Sequence, residues 1–158
     1  MNVVSVPDLR KKIKYIDRQN LENLCLRLAR YKIENKELIT YFLFESQNEF
    51  EYVIGIKKII DKYFDEIKTA NYYYLKKYIR KILRKIKKFS KYSNNPETEV
   101  ELILHFCFKM NDINPSIKKN KTLNNILNIQ IKNIRKKITK LHYDLQFEYN
   151  IKIDNLNI

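Results

Sequence analysis

Two histidines and two cysteines are the side chains whose types could carry metal or nucleophilic chemistry in this chain. Glu101 and His105 stand one helical turn apart, and His142 is followed two residues later by Asp144. Packed side by side, the helices bearing them could bring Glu101, His105 and His142 to one metal ion. A carboxylate-bridged di-metal bundle, however, needs Glu-x-x-His at i, i+3 on two helices and two further glutamates, a pattern this sequence lacks. The ordinary reading of Glu101 and His105 is an i, i+4 surface pair, so no metal and no cofactor is expected.

Cys25 and Cys107 both fall in apolar stretches, where a free thiol behaves as a small hydrophobe. Neither belongs to a C-x-x-C pair, which excludes a zinc knuckle or redox motif on spacing. No serine sits in a Gly-x-Ser-x-Gly elbow, and a single glycine, Gly55, leaves no phosphate-cradling loop. The expectation is a protein that is not an enzyme and has no catalytic residue.

The sharper chemistry is electrostatic. The chain carries a formal charge of +14, from 32 basic and 18 acidic residues. Lys76, Lys77, Arg80, Lys81, Arg84, Lys85, Lys87, Lys88 and Lys91 follow one another with no acid between Glu66 and Glu97. On a helix they occupy the half opposite Tyr72, Leu75, Ile79, Ile82, Leu83, Ile86 and Phe89. A helix that needs only solvation mixes charge signs to form i, i+4 pairs, so the segregation points to a polyanion. Lys77, Arg80, Lys81, Arg84 and Lys88 are the candidate phosphate-binding residues, with Tyr73, Tyr74, Tyr78 and Tyr92 placed to stack bases. Lysine outnumbers arginine, and lysine acts as a point charge where base readout uses the arginine fork. The role expected of these cations is therefore phosphate neutralisation. The abundance of Lys, Asn and Ile matches AT-rich codons, which supplies a second, compositional origin for the charge.

A basic amphipathic helix also suits an anionic membrane surface, but its apolar side would have to be free, and this one has partners in neighbouring helices. The other function class is a protein-interaction or adaptor domain. Glu97, Glu99 and Glu101 form an acidic patch beside the lysine-rich surface, an arrangement suited to partner contacts. A helical domain without catalytic motifs fits that role best, with polyanion binding as the alternative.

The elements that position these residues are helices. One glycine and three prolines leave few tight turns, which disfavours an all-β fold. At 158 residues the chain suits one domain, expected over residues 1–150, with a short tail over 151–158 that is either frayed or a short extension. Ser5 with Asp8 forms a capping signal ahead of Leu9, Ile13 and Ile16. Asp17 caps a second helix with a buried stripe of Leu21, Leu24, Cys25 and Leu28, and Asn35 caps a short, well-buried third. A fourth, about 48–67, faces inward through Phe50, Val53, Ile54, Lys57, Ile60, Phe64 and Ile67, with Gly55 marking a close helix crossing. The fifth covers about 71–92. Asn95, Pro96, Glu97 and Glu99 open a sixth, apolar on most sides and so central. A seventh runs on to Tyr149 through Leu127, Ile131, Ile134, Ile138, Leu141 and Leu145. The fold expected is all-α, with about seven helices in an irregular antiparallel bundle or a solenoid-like stack.

Met1 to Asp8 lacks the apolar core of a signal peptide, and no apolar run approaches the roughly 20 residues of a membrane span. A cytoplasmic chain without integral membrane association is the expectation. Asn35 to Ser46 (NKELITYFLFES), Tyr72 to Phe108 (YYYLKKYIRKILRKIKKFSKYSNNPETEVELILHFCF) and Lys140 to Asn150 (KLHYDLQFEYN) together resemble a family of small bacterial all-helical proteins of uncharacterised function. The resemblance covers most of the chain. It implies a bacterial cytoplasmic helical protein, and no activity, ligand or site residue.

Overall fold

Side-chain caps set most of the helix starts. The computed structural model describes residues 2–156; Met1 and the last two positions of the expected tail lie outside them. Among the described residues there are eight α-helices and no strand. None of the helices is long and apolar enough to cross a membrane. The chain divides into two compact units, one running to Phe44 and the other starting at Glu45.

The N-terminal unit holds α1 (Val6–Ile13), α2 (Arg18–Tyr31) and α3 (Ile33–Thr40). Ser5 caps α1 by accepting from the Asp8 amide, and Asp17 caps α2 by accepting from the Asn20 amide at 3.0 Å. Asn35 does not cap α3, which starts two residues earlier; its amide instead donates to the Leu28 carbonyl at 2.9 Å and ties α3 to α2. The stripes expected to be buried are not: no residue of α1, α2 or α3 is buried, and Leu24, Cys25, Leu28 and Leu38 are exposed. Two short helices packed on each other offer each stripe one neighbour, too little surface to enclose a core. A π-helical turn, Tyr41–Glu45, follows, with Tyr41 buried and Phe42, Leu43 and Phe44 exposed.

The second unit contains α4 (Glu49–Asp65), α5 (Tyr72–Ser93), α6 (Pro96–Asn111), α7 (Lys121–Ile138) and α8 (Tyr143–Asp154), with a 3-10 turn at Ile117–Lys119. Helix α6 packs against α4, α5 and α7 and buries Val100, Leu102, Ile103, Leu104, Phe106, Cys107 and Met110. Its central place follows from having apolar residues on more than one side. Phe106 meets Phe64 of α4 with ring centroids 5.7 Å apart in a tilted pair. Helix α5 contributes Leu75, Ile79, Ile82 and Ile86. It ends at Asn94, whose φ of 54° is the left-handed turn that asparagine tolerates. Asn95 then accepts from the Glu97 amide at 2.9 Å, and Pro96 opens α6.

Three expectations change here. Helix α4 is turned relative to the expected face: Tyr52, Val53, Ile56, Ile60 and Phe64 are buried, while Phe50 is 72% exposed. Gly55 marks no close crossing, because a Cβ there would meet no atom within 4 Å. The long last helix is two helices. Leu141 sits in the connection between α7 and α8, where its carbonyl and that of Thr139 accept from the Gln146 side chain, at 2.8 and 3.5 Å. The turn lets α8 pack on α7, and Tyr149, Ile153 and Leu156 enter the core, so of the two alternatives for the tail residues 151–156 follow the extension. The heptad spacing of Leu141 and Leu145 runs through the turn without marking it.

Candidate functional site

Helix α5 begins where the Asn71 side chain accepts from the Tyr73 amide at 2.8 Å. It then runs for 22 residues, about 33 Å of axis. Its inner seam anchors it on α4 and α6, which fixes the direction of the opposite face. Lys77, Arg80, Lys81 and Arg84 all project there and are exposed. These four of the five sequence-predicted residues line one open groove of about 740 Å³, together with Tyr74, Tyr78, Leu83 and Lys87. Lys88 does not line it; its ammonium lies 5.6 Å from the centre of the Phe89 ring and is half-buried.

Among the described residues, the charges in the groove have no acidic counterpart. Lys77, Arg80, Lys81, Arg84 and Lys87 make no ion pair among the described residues. Lys77 instead rests its ammonium over the Tyr73 ring, 4.3 Å from the centroid. Lys85 turns away from the groove, donates to the Tyr63 hydroxyl at 2.6 Å and lies over that ring at 4.0 Å.

Sequence reasoning stopped at α5, and the structure adds residues from α7. Lys87 also borders a second hollow of about 420 Å³, lined by Lys136 and Lys137 of α7, by Lys140 just past its end and by Glu99. Lys137 is spent on Glu99, at 2.7 Å, while Lys136 and Lys140 have no acidic partner among the described residues. The cations of α5 thus continue onto α7 through Lys87. Spacing along the chain does not place Lys136 and Lys140 beside Lys87; the shared hollow does.

The acidic patch on α6 does the reverse. Glu101 is paired with Lys57 of α4, accepts from the Tyr149 hydroxyl at 2.9 Å and has the Lys152 ammonium at 3.8 Å. Burial alone would raise its carboxyl; the Lys57 hydrogen bond and charge, with Tyr149 and Lys152, overcome that and hold it below the usual range. Tyr149 moves the other way, its phenol raised by burial and by the neighbouring Glu101 and Glu97 carboxylates. Glu97, Glu99 and Glu101 are therefore engaged inside the unit, and are not the free acidic patch that partner contacts would need.

The histidines do not converge with Glu101. His105 Nε2 lies 2.8 Å from Asp61 Oδ1, which also receives Lys109 at 3.3 Å, and Glu101 and His105 make separate contacts with α4. His142 is exposed, 3.4 Å from Asp144. No three His, Cys, Asp or Glu side chains among the described residues are grouped to hold a metal ion. Cys107 is buried with its thiol pushed up to about 12, so it is held protonated and unreactive at neutral pH, while Cys25 is free and exposed.

What this surface can do is neutralise a row of phosphates and offer aromatic faces beside them. No protein-family model, no curated protein and no solved structure matches the chain.

Proposed function

We propose that this is a non-enzymatic binding protein whose ligand is a polyanion, foremost a nucleic acid, held on the outer face of α5. The observation that carries the reading is a single groove in which Lys77, Arg80, Lys81 and Arg84 stand exposed with no acidic partner among the described residues. Unpaired cations side by side add little to folding, and they release counterions when a phosphate backbone replaces the salt around them. Their role is phosphate neutralisation, with Lys88 at the edge of the groove in a lesser one. The helices that hold the groove are read as an irregular antiparallel bundle, since α6 packs on α4, α5 and α7 across short connections.

Fluorescence anisotropy with labelled DNA and RNA across 50–300 mM salt tests the reading. Four or five neutralised phosphates give a log–log slope of about −3 to −4.5. The variant Lys77→Glu/Lys81→Glu/Arg84→Glu removes the binding. Weak binding that is indifferent to both salt and the triple change would end the proposal.

A second reading, a protein-interaction domain, draws on the N-terminal unit. Its helices bury no residue, and Tyr31, Phe42 and Phe44 are all more than 70% exposed. Apolar exposure of this extent is a mark of protein–protein contact surfaces. Sedimentation of the wild type against Leu28→Glu/Phe42→Glu checks it: a self-associating protein becomes monomeric in the variant, and an unchanged profile removes self-association as the explanation.

A further inference from the structure

The groove on α5 is not uniformly basic along its length. Its N-terminal end carries Tyr74 and Tyr78, exposed by 52% and 41%, around Lys77, with Tyr73 exposed beside it, and its C-terminal end carries Arg80, Lys81, Arg84 and Lys87. Tyrosines that serve the fold elsewhere in this unit have occupied hydroxyls. Tyr52 donates to the Phe89 carbonyl, Tyr72 to the Ser116 carbonyl and Tyr149 to Glu97 and Glu101, while Tyr63 accepts from Lys85. The hydroxyls of Tyr73, Tyr74 and Tyr78 make no hydrogen bond among the described residues. Large rings are thus left in water at one end of a cationic track, where lysine or glutamate would be better solvated.

We infer that the ligand is a single-stranded nucleic acid. Its bases stack on Tyr74 and Tyr78, and its phosphates follow Lys77, Lys81 and Arg84 through Lys87 to Lys136 of α7 and Lys140 just past its end. The inference deepens the polyanion reading and rests on it. Tyr74 and Tyr78 are one turn apart, so their Cβ atoms lie about 5–6 Å from each other and each ring can take one base of an unstacked strand. From Tyr74 to Lys87 the axis runs about 20 Å, room for a few nucleotides before the path passes onto α7. A duplex has its base faces closed within the stack and offers these rings nothing, so it gains only the electrostatic part. Lysine point charges and aromatic faces do not read base edges, so the preference is for strandedness and not for sequence.

The test measures anisotropy at fixed low salt with labelled oligo(dT) and oligo(U), competed by unlabelled duplex DNA of equal charge and by inorganic polyphosphate. Single strands should bind at least tenfold tighter than either competitor. Tyr74→Ala/Tyr78→Ala should weaken single-strand binding about 10–100-fold and leave polyphosphate binding unchanged. Tyr74→Phe/Tyr78→Phe, which keeps the rings, should restore it. Lys136→Glu/Lys140→Glu should weaken long oligonucleotides more than short ones. Duplex or polyphosphate competing as well as the single strand, or alanine at both tyrosines without effect, would overturn the inference. If those results come while Lys77→Glu/Lys81→Glu/Arg84→Glu still removes all binding, the polyanion reading survives and the single strand does not. If that triple variant also has no effect, both fall.

Discussion

Helices α5 and α6 are neighbours in one unit and treat charge in opposite ways. The acids of α6 are matched by groups from other helices: Glu99 by Lys137, Glu101 by Lys57, Tyr149 and Lys152, and Glu97 by the Tyr149 hydroxyl. The cations in the α5 groove have no such counterparts among the described residues. Charge on α6 belongs to the fold, because removing one member strands a partly buried partner. Charge on α5 can be changed at little structural cost, which leaves it open to a ligand. Substitutions on the two helices should therefore separate binding from stability.

The largest separation is expected on α5. Reversing Lys77, Lys81 and Arg84 should lower nucleic-acid affinity by about 10²-fold or more at 50 mM salt, while the unfolding free energy moves by about 1 kcal/mol or less. Anisotropy and urea denaturation on the same preparations check both halves, and a large loss of stability would break the comparison. On α6, Phe106→Ala removes a side chain of 0% exposure that packs on Phe64, and should cost about 3–5 kcal/mol in the urea midpoint analysis.

Glu101→Gln keeps the shape and removes the charge, and a loss of about 1–3 kcal/mol is expected. Its pH dependence has a definite sign. The folded carboxyl is held below its ordinary value, so its contribution is complete above about pH 5 and disappears as pH falls through the folded value. Thermal melts between pH 3 and 7 should show a shallower acid limb in Glu101→Gln than in the wild type. The smallest effect is Gly55→Ala, which should stabilise by about 0.5–1 kcal/mol because the added methyl meets nothing within 4 Å. A destabilised Gly55→Ala protein would mean that the α4 backbone needs glycine for a reason other than space.

The regularity of α5 explains why it was legible. Leu75, Ile79, Ile82 and Ile86 repeat by three and four, every intervening cation reinforces the same phase, and asparagines stand at both ends. Ser5, Asp17 and Asn95 likewise cap as their types suggest, since that chemistry is local. Burial was not legible in α2 and α3, where Leu24, Leu28 and Leu38 have helical spacing but remain exposed. Periodicity shows which side chains share a face, and says nothing of whether another element covers it. The break at Thr139 to His142 was hidden for a different reason. It contains neither glycine nor proline, and its carbonyls at Thr139 and Leu141 are satisfied by Gln146 from the following helix. The far half of the basic track was hidden because its proximity to α5 is tertiary: Lys87 lies some 50 residues before Lys136 and Lys140 and shares a hollow with both.

The run of α5 cations has a consequence for the free protein as well. Lys77 and Lys81, Arg80 and Arg84, and Arg84 and Lys88 are like charges at i, i+4, each pair raising the energy of the folded helix by a few tenths of a kcal/mol. Dissolved salt screens that repulsion. Ionic strength should therefore act in two directions, raising the melting temperature of the unliganded chain while loosening its complex. The helix is most strained when its surface is emptiest, and an arriving polyanion relieves the strain that salt relieves in its absence.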